Sequence, residues 1–159
     1  MKKVLAFTIA GIFFASMAVA QDQDKKILNQ FTRTEHFLGA KLSFVHLNAT
    51  TINMFFKGSS KETIQEKAKS GTCFFIMGTA EKPTKMNTDY IAIQEEAKIP
   101  GTIMNITNFD GAEIAKGGTI RGILILSKKL DPAKQFTLKT TGGFVDFKLS
   151  DEALRNLNE

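Results

Sequence analysis

The sequence predicts an all-β fold, an antiparallel β-sandwich carrying one or two short surface helices. Three observations predict it. From Lys41 onwards the chain divides into roughly seven to nine short apolar runs separated by Gly, Pro, Asn and Asp, the spacing of a strand-and-turn protein. Several of these runs alternate apolar and polar residues with a period of two, which places one face of each strand on a core. Helical periodicity, in contrast, is confined to three short stretches.

The chain starts with a different kind of segment. Met1-Lys2-Lys3 is basic, Val4 to Ala20 is apolar apart from Thr8, Gly11 and Ser16, and the run ends in Ala18-Val19-Ala20. That is the three-part layout of a cleaved secretory signal peptide over residues 1–20. Removing it from the 159 residues leaves about 139, the size of one domain. Lys2 and Lys3 leave with it, so the formal charge of +5 falls to about +3 and the chain is less basic than its pI of 9.3 implies. About 38% of the remainder is apolar, enough to build a core and to exclude a disordered chain. One cysteine excludes a disulfide scaffold.

Residues 21–40 form an N-terminal segment with helical patterning: Ile27, Leu28 and Phe31 fall on one side of a helix drawn from Asp24 to Phe37. A single sandwich domain then spans 41–159. Leu42, Phe44 and His46 alternate as a first strand, and Ile52, Met54 and Phe56 as a second after the turn chemistry of Asn48-Ala49-Thr50-Thr51. Ser59-x-x-Glu62 is a capping box that opens a short helix over Lys61 to Lys69, stopped by Gly71. Thr72 to Met77 is apolar on both faces and reads as an interior strand. Weaker strands follow at Tyr90 to Gln94 and at Thr102 to Phe109, the second opened by a Pro100-Gly101 turn. Thr119 to Leu126 is the most apolar stretch of the mature chain, and Gly122 inside it marks a bulge or a close approach.

Near the end, Phe136 and Leu138 share one strand face, Thr140-Thr141-Gly142-Gly143 turns the chain, and Val145, Phe147 and Leu149 return on one face. Asp146 and Lys148 lie on the other. Alternation on both sides of a Gly-Gly turn is a β-hairpin signature. Ser150 caps a last helical turn from Asp151 to Leu157. The outline is similar to an immunoglobulin-like sandwich. The likeness is one of architecture, because the chain has no tryptophan and lacks the Cys…Trp…Cys spacing of true immunoglobulin domains. A barrel enclosing a cavity is the competing arrangement.

The chemistry-bearing residues are few. Cys73 is a candidate reactive thiol, but no cation within its run would lower its pKa, and it reads as a small buried hydrophobe. His36 and His46, with Met54, Met86 and Met104, are the candidate ligands for copper or zinc. Their spacing matches no ligand loop, so no metal site is assigned. Glu95 and Glu96 are adjacent, which in a strand sends them to opposite faces and spoils shared acid–base work. The nucleophile elbow G-x-S-x-G and the phosphate loops GxxxxGK[ST] and GxGxxG are absent. Lysines are dispersed and not interleaved with aromatics, which argues against nucleic acid.

These readings lead to an expectation of an exported, periplasmic or secreted, non-catalytic binding domain, with no catalytic residue or cofactor assigned. Its partner is expected to be an envelope protein or polymer. A carrier of an apolar ligand is the alternative, and a periplasmic metal-binding protein a weaker one.

Overall fold

The structure, a computed structural model, describes residues 22–157; the leader read over 1–20 and its cleavage site lie outside the described residues. The elements run α1 (Asp22–Gln30), β1 (Thr32–Phe37), β2 (Ala40–Leu47), α2 (Ala49–Phe55), α3 (Gly58–Ser70), β3 (Cys73–Ala80), β4 (Thr84–Lys85), β5 (Ile91–Gln94), β6 (Ala97–Thr107), β7 (Glu113–Ile114), β8 (Thr119–Leu126), β9 (Phe136–Thr140), β10 (Gly143–Phe147) and α4 (Asp151–Asn156). Eight strands form one antiparallel sheet in the order β1-β2-β3-β8-β6-β5-β9-β10, and β4 pairs with β7 in a small second ladder. The fold is all-β with few, short helices.

The layers expected of a sandwich are the two halves of this one sheet, which curls until β10 comes up beside β1 and is nearly a barrel. Alternation explains the interior. Leu42 and Phe44 of β2, Phe74 and Ile76 of β3, Leu124 of β8, Leu138 of β9 and Phe147 of β10 all point into a single core. The small barrel is filled by side chains, in keeping with eight strands. The outer face of β2, β3 and β8 carries Val45, Phe75 and Ile123, and α2 and α3 cover it with Ile52, Phe55 and Ile64. A third cluster, Phe31 with Leu149 and Ala153, packs α1 against α4.

The terminal hairpin has the register that alternation dictates. Val145 pairs with Leu138 and Phe147 with Phe136, and all four are buried. The rings of Phe136 and Phe147 stack 5.1 Å apart, nearly parallel at 6°. Asp146 and Lys148 are exposed, and Asp146 accepts a hydrogen bond from the Thr137 hydroxyl directly across the ladder. Outside the ladder, Asp89 holds the turn, accepting from Thr140 Oγ1 at 2.7 Å and from the Thr141 hydroxyl. These bonds, the Thr141 one foremost, pull the Asp89 carboxyl below its ordinary pKa.

Side chains, not a ladder, draw β1 and β10 together. Arg33 lies opposite Phe44 in the β1–β2 register, donates from Nη2 to Lys148 O at 2.7 Å and sets its guanidinium 5.7 Å from the centre of the Phe147 ring. Arg33→Ala is expected to cost only about 1 kcal/mol, since the contact is partly solvated. The sharper readout is hydrogen exchange: β1 and β10 amides should exchange faster while those of β3 and β8 stay protected. Uniform change across the sheet would refute a local seam.

Several local expectations need correction. Residues 52–56 are not a strand: Ala49–Phe55 is helical, and the buried positions are Thr51, Ile52 and Phe55, a helical spacing. Asn48 decides this, because its side chain accepts from the Thr50 and Thr51 amides and so nucleates a turn of helix. The Ser59–Glu62 capping box does not form; α3 starts earlier, after Lys57, with no side-chain cap. Pro100-Gly101 is not a turn but part of β6, where Gly101 N takes up the pairing by donating to Tyr90 O at 2.9 Å. The turn lies at Glu95-Glu96, with Glu95 at φ 55, so those carboxylates are not on a strand at all. The N-terminal helix ends at Gln30, and residues 32–37, expected to be helical, are the sheet's first strand. Gly122 is a close-approach point: a Cβ there would sit 2.9 Å from the Phe109 ring, and β6 shifts register opposite it.

Candidate functional site

The site starts from the end of β2. Even-numbered β2 residues face the barrel interior, so His46 continues the row of Leu42 and Phe44 to the mouth of the barrel. Its ring meets Phe74 edge-on at 5.4 Å and stacks over Phe31 at 6.2 Å. This apolar sandwich strips water from the imidazole and lowers its pKa from 6.5 to about 4, so the ring is neutral at pH 7. Its Nδ1 is buried and has no hydrogen-bond partner.

Two residues on, Asn48 links β2 to α2. Asn48 N donates to Thr51 Oγ1 at 2.9 Å, and the Thr51 hydroxyl donates to His46 O at 2.9 Å, locking the strand end to the first helical turn. With Asn48 Oδ1 already accepting two amides, the orientation of its carboxamide is settled and Nδ2 points elsewhere. That nitrogen is also buried and unpartnered.

Both residues line a cleft of ≈ 790 Å³ between the barrel mouth, helices α2 and α3, and the segment after β8. Thr72 builds its far wall: its Oγ1 accepts from Leu130 N at 2.8 Å, and Leu126 N donates to its carbonyl at 2.9 Å. Leu130, Pro132, Ile52, Ala68 and Leu157 give an apolar lining. Glu62, Glu66, Lys69 and Lys129 sit on the rim, and Lys69 pairs with Glu66 at 2.6 Å. The rim is electrically balanced.

The other sequence candidates lie elsewhere. His36 stands opposite Lys41 on the outer face of β1 and binds Glu81 Oε2 at 3.1 Å. His46 faces inward, five β2 residues further on and so about 17 Å away, and the two histidines do not converge. Met54 and Met104 pack on the outer-face cluster and Met86 in the barrel core. Among the described residues no three His, Cys, Asp or Glu side chains gather as a metal site. Cys73 is fully buried beside Phe75, and burial pushes its thiol up to about 11, which suppresses the thiolate. Among the described residues no helix is long and apolar enough to cross a membrane.

Asn48 was legible in the sequence only as a turn residue. The pattern that finds it is a helix-capping Asn three residues before Thr51 and ahead of an apolar residue. Nothing local pointed to Leu130 or Pro132, which join the site by way of Thr72. No protein-family model, no curated protein and no solved structure matches this chain.

Proposed function

We propose that the chain is an exported, non-catalytic binding domain of the cell envelope, periplasmic or secreted, whose partner docks in the cleft at the His46 end of the barrel. One observation carries the reading. Among the described residues only His46 Nδ1 and Asn48 Nδ2 are buried side-chain polar atoms without a partner, and both residues line this one cleft. Folded proteins pair nearly all such groups, and each exception asks for an explanation. A ligand that supplies the missing partners is such an explanation. The packed barrel core favours this reading over an apolar-ligand carrier, since a carrier needs room inside the barrel where Phe44, Phe74, Phe136 and Phe147 now meet. The leader-like first 20 residues support export.

In-cell photocrosslinking tests it. A photoreactive residue placed at Gln65 or Lys129, on the cleft, should yield a discrete adduct. The same residue at Lys85, on β4 near the opposite end, should yield none. Equal adducts from Lys85, or none from the cleft positions, would overturn the proposal. Turnover of an ester, phosphate or glycoside panel by the purified protein would overturn its non-catalytic part.

A further inference from the structure

Charge is divided along the cleft, given that the cleft is the binding site as proposed above. Glu62, Gln65, Glu66 and Lys69 line it from α3 at the i, i+3, i+4 and i+7 positions of one helix face. Glu62 and Lys69 therefore lie about 10 Å apart along the helix axis. Lys129 stands at the Lys69 end, because both its neighbours bond Thr72, just beyond α3. Thr72 N donates to Lys128 O at 3.3 Å, and Leu130 N donates to Thr72 Oγ1 at 2.8 Å. Lys69 and Glu66 neutralise each other at 2.6 Å. Among the described residues Glu62 and Lys129 have no hydrogen bond or ion pair, so one end of the cleft keeps an unpaired anion and the other an unpaired cation.

We infer that the cleft receives an extended polypeptide segment with the pattern basic, apolar, any residue, apolar, acidic, its basic end beside Glu62 and its acidic end beside Lys129. Between those ends lies Gln65, half-buried, whose carboxamide no described group holds. A residue in an extended chain sends its N–H and C=O to the same side, and a glutamine amide can take both. Gln94 does this within the same molecule: its Oε1 accepts from Asp131 N at 2.9 Å and its Nε2 donates to Asp131 O at 2.8 Å. Gln65 holds the central residue of the segment in the same way.

Alternation supplies the remaining contacts. The first, third and fifth side chains of a strand point one way and the second and fourth the other. With its charged ends at the rim, the segment turns its two apolar side chains down onto Ile52, Leu130 and Leu157. Four residue steps cover about 13 Å, and long charged side chains adjust that to a gap of somewhat over 10 Å. A free amino acid is too short to touch both ends. A polyanion meets Glu62, and a lipid tail leaves both charges bare.

The protein purified from the cell, isotope-labelled for NMR and titrated with capped pentapeptides, provides the test. Acetyl-Lys-Leu-Ser-Leu-Glu-amide should shift the cleft signals, the Gln65 side-chain amide among them, saturably and with a dissociation constant in the millimolar range. At low salt it should bind about fivefold tighter than acetyl-Gln-Leu-Ser-Leu-Gln-amide or acetyl-Glu-Leu-Ser-Leu-Glu-amide, and high salt should erase the advantage. Glu62→Lys should reverse the order and make the doubly acidic peptide the tightest. Gln65→Leu should weaken all three about threefold and keep their order. Each contact faces solvent and is worth little alone, so a photoreactive residue at Gln65 or Lys129 still captures the partner.

Equal affinities for the charged and uncharged peptides, or an order that Glu62→Lys leaves unchanged, would overturn the assignment. So would the absence of shifts at the cleft with every peptide. The comparison of peptides needs no variant to fold. Crosslinking from Gln65 separates the two failures: an adduct there keeps the site and rejects only this chemistry, whereas no adduct from the cleft rejects the site itself.

Discussion

Phe147→Ala is expected to remove about 3–5 kcal/mol of stability, a large share of the roughly 5–15 kcal/mol that a domain of this size holds. The residue is fully buried, with ring neighbours Phe136 at 5.1 Å and Phe74 at 5.2 Å. Truncation therefore opens a cavity in the middle of the barrel where three rings meet, and it also strips the surface over which Arg33 lies. Loss of the Arg33 contact adds to the cavity and unfastens the seam between β1 and β10. Lys148→Ala, one residue along, should change stability by less than about 0.5 kcal/mol. The Lys148 side chain is exposed, and its part in the seam is played by the backbone carbonyl, which alanine keeps. Urea melts of both variants decide the matter. Similar midpoint shifts would mean that the hairpin register, and the closure built on it, is wrong.

The second large effect is on pH dependence. The pKa of His46 lies near 4 in the folded protein against 6.5 for an unburied imidazole. Between those values the unfolded chain binds a proton that the folded chain refuses. Stability contributed by this residue is therefore complete above pH 6.5, declines by about 1.4 kcal/mol per unit as pH falls, and is lost below pH 4. The total comes to about 3 kcal/mol. Phenylalanine fits between Phe31 and Phe74 and takes up no proton, so His46→Phe should remove this component. Its stability at pH 7 should change little, because an unpartnered buried nitrogen leaves with the imidazole. Denaturant melts of both proteins at pH 7, 6, 5 and 4 should give curves that diverge progressively towards acid. Parallel curves would show that the imidazole is not held neutral and that water reaches it.

The comparison of these two residues shows how far local pattern extends. Phe147 was legible because a strand has a strict two-residue period and a one-residue slip would bury Asp146 and Lys148. The same rule located β2, β3, β8 and the buried state of Cys73. It failed at 52–56, where a run of five residues fits a strand and a helical turn equally well, and a cap hydrogen bond from Asn48 settled the outcome. It failed again at Pro100, since proline usually breaks a ladder and here the neighbouring glycine carries it on.

His46 could be read as a strand residue with an inward side chain, yet its chemistry could not. A lone histidine in a sequence carries no sign of what will stand against it. Its ring packs on Phe31, fifteen residues earlier, and on Phe74, twenty-eight later, and the cleft it lines is completed by Leu130 and Leu157. Alone, then, the sequence determined the all-β antiparallel class, the faces of its strands and the terminal hairpin, because burial acts on each strand at a fixed short period. The curling of one sheet into a nearly closed barrel, the seam at Arg33 and the cleft at His46 were decided by the tertiary structure. Each depends on groups distant in the chain, and no local periodicity encodes which distant groups will meet.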